Sequence, residues 1–197
     1  MRLSEARKDR YRKLAKDKGY RSRAAYKLKQ INESYHLFEP KSTVLDIGCA
    51  PGGWIQVVQE ITNNKCLIIG VDIKNVEPIK DVVIIQGDIE SEVTIKKIES
   101  IARSKISVIL SDMSPNVSGL WEIDHVKQIL LTEKALNICN ILLRQKGNAV
   151  FKVFQGEMLK EIEGKMKQMF EKVYIAKPDA SRKESSELYY ICLNFRY

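Results

Sequence analysis

From Thr43 onward the sequence alternates between two hydrophobic periods, and that alternation restricts the fold more than any other feature. Short β-branched runs recur: TVLDIG, KCLIIGVDI, VVIIQGDI, ISVILSDM and NAVFKVFQG. Segments with helical spacing fall between most of them: GWIQVVQEI, VTIKKIESIARS and the long amphipathic IDHVKQILLTEKALNICNILLRQ. MLKEIEGKMKQMF reads as a further helix, and EKVYIAKP and ELYYICLNF as the last two strands. Strands apolar on both faces and interleaved with helices specify an α/β layered fold: a mainly parallel sheet with helices on both faces. The connection at 178–186 is short and polar, so the last two strands are expected to pair antiparallel. Upstream, SEARKDRYRKLAKDKG reads as a helix capped by Ser4 and ended by Gly19. SRAAYKLKQINESY reads as a second, capped by Ser22. A chain of 197 residues suits one domain, with 1–35 as a basic helical arm and 42–197 as the α/β core.

Ligands in such sheets bind beyond the C-terminal strand ends, and those ends carry unusual residues. After the first strand comes DIGCAPGGW, where Gly48, Gly52 and Gly53 allow a tight turn and a close approach to a ligand. The spacing is GxxxGG, not the GxGxxG of nicotinamide dinucleotides, and Pro51 and Trp54 are bulky for a pyrophosphate site. Asp72 follows the second strand, where an acid can accept from both ribose hydroxyls. Asp88 follows the third, placed to accept from an exocyclic amine, and Asp112 follows the fourth. The set describes a nucleoside-bearing cofactor with no required phosphate, which S-adenosylmethionine fits.

The fifth strand poses a sharper question. In AVFKVFQG, Lys152 interrupts a run of Ala149, Val150, Phe151, Val153 and Phe154. A lysine buried there is costly unless something compensates it.

Charge is unevenly spread. Residues 1–30 hold twelve Lys or Arg and three Asp or Glu, whereas the rest of the chain holds 21 and 22. The net +8 is therefore a local property of the N-terminus, the footprint of a polyanion partner. Tyr11, Tyr20 and Tyr26 lie among the basic residues, where they could stack on bases. No apolar run is long enough for a membrane span, and no apolar stretch follows the basic start to make a signal peptide. The expectation is a soluble, cytosolic protein. Cys49, Cys66, Cys139 and Cys192 lie far apart without zinc spacing and read as buried thiols. His36 and His125 have no partner visible in sequence.

Taken in order, GYRSRAAYKL, VLDIGCAPGGW, SDMSPNVSG, FKVFQGE and KPDASRKESSELYY resemble the FtsJ/RrmJ ribose 2′-O-methyltransferases, from about Arg7 to Tyr190. The resemblance implies a Rossmann-like, S-adenosylmethionine-dependent methyltransferase fold, with a seven-stranded sheet whose last strand is antiparallel. It implies a Lys-Asp-Lys-Glu catalytic tetrad on Lys27, Asp112, Lys152 and Glu187. Cofactor positions fall on Gly52, Gly53, Trp54, Asp72, Asp88 and Asp112. Glu184 competes with Glu187, which is chosen because it fits the SSELYY motif and begins the last strand. Lys29 competes with Lys27, which the YKL match selects; the two point about 200° apart on a helix. The compact members of the family imply a uridine in the A-loop of large-subunit ribosomal RNA as the target. Members acting on a tRNA anticodon-loop ribose share the tetrad and are the alternative. A non-catalytic RNA-binding assembly factor is the alternative from another class, and the intact tetrad argues against it.

The implied chemistry is displacement at a methyl carbon by a ribose oxygen, which needs alignment and removal of one proton. An ordinary lysine, with a pKa of about 10.4, is protonated at pH 7. Burial and the charge of Lys27 would favour a neutral Lys152, whereas Asp112 would favour a charged one. Arg21 and Arg23, just before Lys27, are the expected RNA-binding residues. Nothing in the sequence demands a metal or a second chain, so a monomer acting on ribosomal RNA or the large subunit is expected.

Overall fold

The computed structural model describes residues 10–182 and 184–197. Two helices, α1 (Arg10–Asp17) and α2 (Ala25–Tyr35), precede the sheet. Then follow β1 (Thr43–Ile47), α3 (Gly53–Thr62), β2 (Leu67–Asp72), β3 (Val83–Gln86), α4 (Glu92–Ala102) and β4 (Ile106–Ser111). The chain continues through α5 (Trp121–Leu142), β5 (Leu143–Phe154), α6 (Leu159–Met169), β6 (Phe170–Ala176) and β7 (Glu187–Phe195).

The seven strands form one sheet in the order β3-β2-β1-β4-β5-β7-β6. Every pairing among β1 to β5 is parallel. β7 runs antiparallel to both β5 and β6, as the short 178–186 connection requires. The fold is Rossmann-like α/β, as expected. All five residues of β1 are buried, because helices cover both faces. On one face Leu28, Ile31, Trp54, Ile55 and Val58 of α2 and α3 pack on Val44, Val108, Leu110 and Val150. On the other, Ile98, Ile129, Leu136 and Met166 of α4, α5 and α6 pack on Leu45, Ile109, Phe151 and Val153. All four cysteines are free and buried. Among the described residues no helix is long and apolar enough to cross a membrane.

Three local expectations change. The Ser4 cap lies outside the described residues. Ser22 does not cap α2: the helix begins at Ala25, flanked by Ala24 with no side-chain cap bond, and the Ser22 carbonyl instead accepts from Ala25 N at 3.3 Å. The long helix stops at Leu142 rather than Gln145, and β5 starts at once with Leu143 pairing Ile106 across a bulge. Gly19, at φ +74°, ends the α1 turn as expected.

Candidate active site

Three neighbouring strands deliver the candidate site. The β4–β5 ladder ends at the Ser111–Phe151 pair, and Lys152 pairs Tyr189 on the antiparallel side. Asp112, Lys152 and Tyr189 therefore stand side by side where the parallel ladder stops. Glu187, two residues before Tyr189, shares its face of β7. Lys27 enters from the first turn of α2.

The Lys152 amine donates to the Asp112 carbonyl at 2.7 Å and lies 3.3 Å from Asp112 Oδ1. Lys27 Nζ donates to Glu187 Oε1 in a close ion pair. The Tyr189 hydroxyl joins the two pairs, lying 3.0 Å from Asp112 Oδ1 and in short contact with Glu187 Oε1. The Lys27 amine also sits over the Tyr189 ring, 5.6 Å from its centroid. Lys29 points away, to Glu60 Oε1 at 2.7 Å, and Glu184 is exposed on the loop. The structure thus gathers the four expected tetrad residues, and adds a fifth that sequence reasoning missed. The alternation of β7 was the available signal, since residue i+2 from Glu187 shares its face.

Both lysines are 7% exposed. Burial pushes the Glu187 carboxyl up, but the charge and hydrogen bond of Lys27, the Tyr189 hydroxyl and the charge of Lys152 outweigh it. Glu187 is held below the ordinary carboxylate range. Tyr189 is pushed well above the ordinary phenol range, by burial first and then by Asp112 and Glu187. It is a neutral hydroxyl between two acceptors.

Beyond β1 the chain turns through the glycine loop. Gly52 has φ +109°, a left-handed conformation that side chains rarely adopt. A Cβ on Gly53 would collide with Ser22 Oγ, which places Ser22 against the loop rather than at a helix cap. Asp72 accepts from Ala50 N at 2.9 Å and Lys74 N at 2.8 Å, so its carboxylate is held at the end of β2 with lone pairs to spare. Asp88 is exposed, with one oxygen accepting from Glu90 N at 3.0 Å. Trp54 has its indole buried: its Nε1 donates to Ala24 O at 2.9 Å, and its ring lies 5.8 Å from Tyr189. It braces α2 against the loop.

Asp46 is a site residue the sequence reading passed over. It is 1% exposed, and neither carboxylate oxygen has a partner among the described residues. Burial, and then the charges of Asp112 and Asp72, push it well above the ordinary range. Asp72 and Asp112 lie near enough to raise Asp46 electrostatically, and among the described residues no hydrogen-bond partner meets its oxygens. Such carboxylates fit a positively charged ligand, and Asp72 and Asp88 keep free acceptor oxygens of the kind the ribose and amine of S-adenosylmethionine would need.

The two expected RNA contacts diverge. The Arg21 guanidinium donates to Pro51 O at 3.1 Å, Glu77 O at 2.6 Å and Pro78 O at 2.8 Å. It ties the glycine loop to the loop after β2 instead of facing outward. Arg23 lines an open cavity of about 400 Å³ with Lys27, Arg182, Glu184, Ser185 and Glu187. Its guanidinium donates to Ala180 O at 3.2 Å. Burial and then the charge of Arg182 lower its pKa, so two cations crowd one mouth of the site. The tyrosines expected to stack on bases pack on one another: Tyr26 lies 5.5 Å from Tyr11, tilted, and 5.6 Å from Tyr20, edge-on.

Comparison with known proteins agrees with this geometry. Residues 20–195 match the FtsJ-like methyltransferase family. The chain is 48% identical to ribosomal RNA large subunit methyltransferase E of Nitrosopumilus maritimus, covering 99% of each chain. It is 46% identical to the protein of that name from Methanocaldococcus jannaschii, over 97% of this chain and 80% of the relative. A protein from Plasmodium falciparum described as a ribosomal RNA methyltransferase superposes with a TM-score of 0.82 at 34% identity, covering 89% and 98% of the two chains. Human methyltransferase-like protein 13, at 14% identity and a TM-score of 0.56 over 86% of this chain and 79% of that one, shares the fold. With the family matched across the sheet, the glycine loop and all four gathered residues, the chain belongs to the FtsJ-like methyltransferases.

Proposed function

We propose that this protein transfers a methyl group from S-adenosylmethionine to the 2′-hydroxyl of a ribose in large-subunit ribosomal RNA, at a uridine of the A-loop. One observation carries the reading: a buried lysine amine, Lys152, held by Asp112 where the parallel ladder opens, beside the Lys27–Glu187 pair. The names of the archaeal relatives support ribosomal RNA as the substrate. When bound, S-adenosylmethionine supplies a methyl sulfonium that needs no further activation.

Each residue then has a task. A neutral lysine amine has two N–H groups and one lone pair. The Asp112 carbonyl and carboxylate can take both hydrogens, which leaves the lone pair to accept the ribose proton as the methyl group moves. The Lys27 ammonium and the Glu187 carboxylate orient the ribose hydroxyl, and Tyr189 keeps them in register with Asp112. Arg23 and Arg182 receive the RNA backbone at the mouth. The whole cluster comes from one chain, so the proposed active unit is a monomer working in the cytoplasm.

Lys152→Ala is the direct test. Transfer of labelled methyl groups to large-subunit RNA is expected to fall by at least about 10²-fold, the low end for a general base. Cofactor affinity, read by calorimetry, should hold within about twofold. Normal turnover in this variant overturns the role of Lys152. Mapping of 2′-O-methyl riboses in RNA from cells lacking the protein then fixes the target. Loss of an A-loop methyl is expected, and loss confined to a tRNA anticodon loop overturns the ribosomal assignment.

A further inference from the structure

The first three turns of α5 carry a row of buried polar side chains where the fold alone would favour leucine. Asp124, Gln128 and Thr132 are 3%, 1% and 2% exposed. Their spacing of four places them on one helix face, and each hydrogen-bonds backbone of the site-bearing segments. Asp124 Oδ1 accepts from Ser118 N and Ser118 Oγ, both at 2.8 Å, and its Oδ2 accepts from Gly119 N at 3.1 Å. Gln128 Nε2 donates to Lys152 O at 2.9 Å and to Met113 O at 3.2 Å. Thr132 Oγ1 lies 3.2 Å from Lys152 O and 2.9 Å from Gln128 O.

Burial of three polar groups is unfavourable unless each is satisfied, and the Gln128 oxygen has no partner among the described residues. Apolar side chains would pack this face without needing such partners, so the bonds the row makes point to a purpose beyond packing. Its position supplies one. The β4–β5 ladder ends at Ser111–Phe151. Asp112 follows the end of β4, and Lys152 is paired only on its other side, with Tyr189 of β7, so the parallel register stops one residue short of this pair. The Gln128 NH₂ spans that gap, with one hydrogen on the carbonyl of Lys152 and one on the carbonyl next after Asp112. The two facing carbonyls also determine which end of the amide carries the hydrogens.

We infer that Gln128 is a positioning residue that clamps the segment leaving β4 to β5 at Lys152 and so sets the approach of the Lys152 amine to Asp112. The inference rests on the proposed roles of Lys152 and Asp112. Asp124 extends the same control along 113–119, and Thr132 backs up the bond to Lys152 O.

The test compares Gln128→Leu, Gln128→Asn and Lys152→Ala in the full chain, with kcat, both KM values and Tm measured for each. Leucine keeps the volume and removes both donors. A misplacement of about 1 Å costs on the order of 10²-fold, so Q128L is expected to lose roughly that factor in kcat. Both KM values should stay within about twofold of the parent, as a pure alignment defect requires. Q128N, which retains the NH₂ on a shorter stem, should recover part of the loss. Wild-type kcat in Q128L overturns the inference if Lys152→Ala is inactive. An active Lys152→Ala overturns the reading beneath it instead. If Q128L does not fold, Gln128→Met decides, since it removes both donors on an unbranched stem of similar length. A kcat loss at unchanged KM supports the clamp, and wild-type kcat overturns it.

Discussion

At the scale of single residues, Asp46 is a group whose burial should weaken the protein in the absence of a ligand. Its carboxyl is buried, unpartnered and pushed up by burial and by Asp112 and Asp72. An acid whose folded pKa is raised opposes folding as pH climbs. The unfolded chain releases the proton near the ordinary value of 3.8, while the folded chain still holds it. Stability attributable to Asp46 therefore falls with rising pH above that value, until the raised folded pKa is passed. Asp46→Asn removes the slope. The variant is expected to melt a few degrees above the parent near neutral pH without cofactor, since each kcal/mol moves Tm by about 2–4 °C in a chain of this size. It should also bind S-adenosylmethionine more weakly. Melting curves across pH, with and without cofactor, read both effects, and equal stability with equal affinity would show that Asp46 faces no cation. Asp46 was missed in the sequence because an acid inside TVLDIG reads as part of a strand, and nothing local reveals that no partner lies opposite it.

At the scale of elements, the N-terminal arm is tied to the cofactor groove by specific bonds. Arg21 bridges the glycine loop and the 77–78 loop. Its backbone N–H donates to Gln56 Oε1 at 2.8 Å. Lys29 joins Tyr20 and Glu60 at 2.9 and 2.7 Å. Arg21→Ala is therefore expected to weaken cofactor binding roughly tenfold, about the 1.4 kcal/mol of one charge-assisted hydrogen bond. The salt dependence of RNA binding should not change. A flattened salt slope with intact cofactor affinity would return Arg21 to the RNA. The basic composition of this arm was legible in sequence, but which arginine turns inward was not, because that depends on carbonyls 30 and 57 residues away. The α5–β5 boundary was lost for a similar reason. ILLRQ continues the helical spacing, and only pairing of Leu143 with Ile106 draws it into the sheet. The short β-branched runs and the period-two β7 were legible, because there the local pattern and the tertiary pairing agree.

At the scale of the whole molecule, the excess positive charge and all of the tetrad but Lys27 occupy different parts of the chain, so affinity and chemistry should separate for basic residues other than Lys27. The excess of Lys and Arg lies in residues 1–30, and α1 exposes Lys13 and Lys16 to solvent. The tetrad draws Lys152 and Glu187 from the sheet and Asp112 from the residue after β4, and Lys27 alone comes from the arm. The basic arm thus also carries one side of the candidate site through Lys27. Phosphate contacts release counterions, and each contact to a single strand contributes about −0.7 to the slope of log K against log salt. If Lys13 and Lys16 each touch a phosphate, the double alanine variant is expected to shallow that slope by about 1.4. RNA affinity should drop, most visibly at low salt, while kcat at saturating RNA stays at the parent value because neither lysine approaches Lys152. Filter binding over a salt series and single-turnover methylation at high RNA separate the two quantities. An unchanged slope would move the phosphate contacts to the Arg23–Arg182 mouth, and a fall in kcat would mean that α1 orders Lys27 as well as holding the strand.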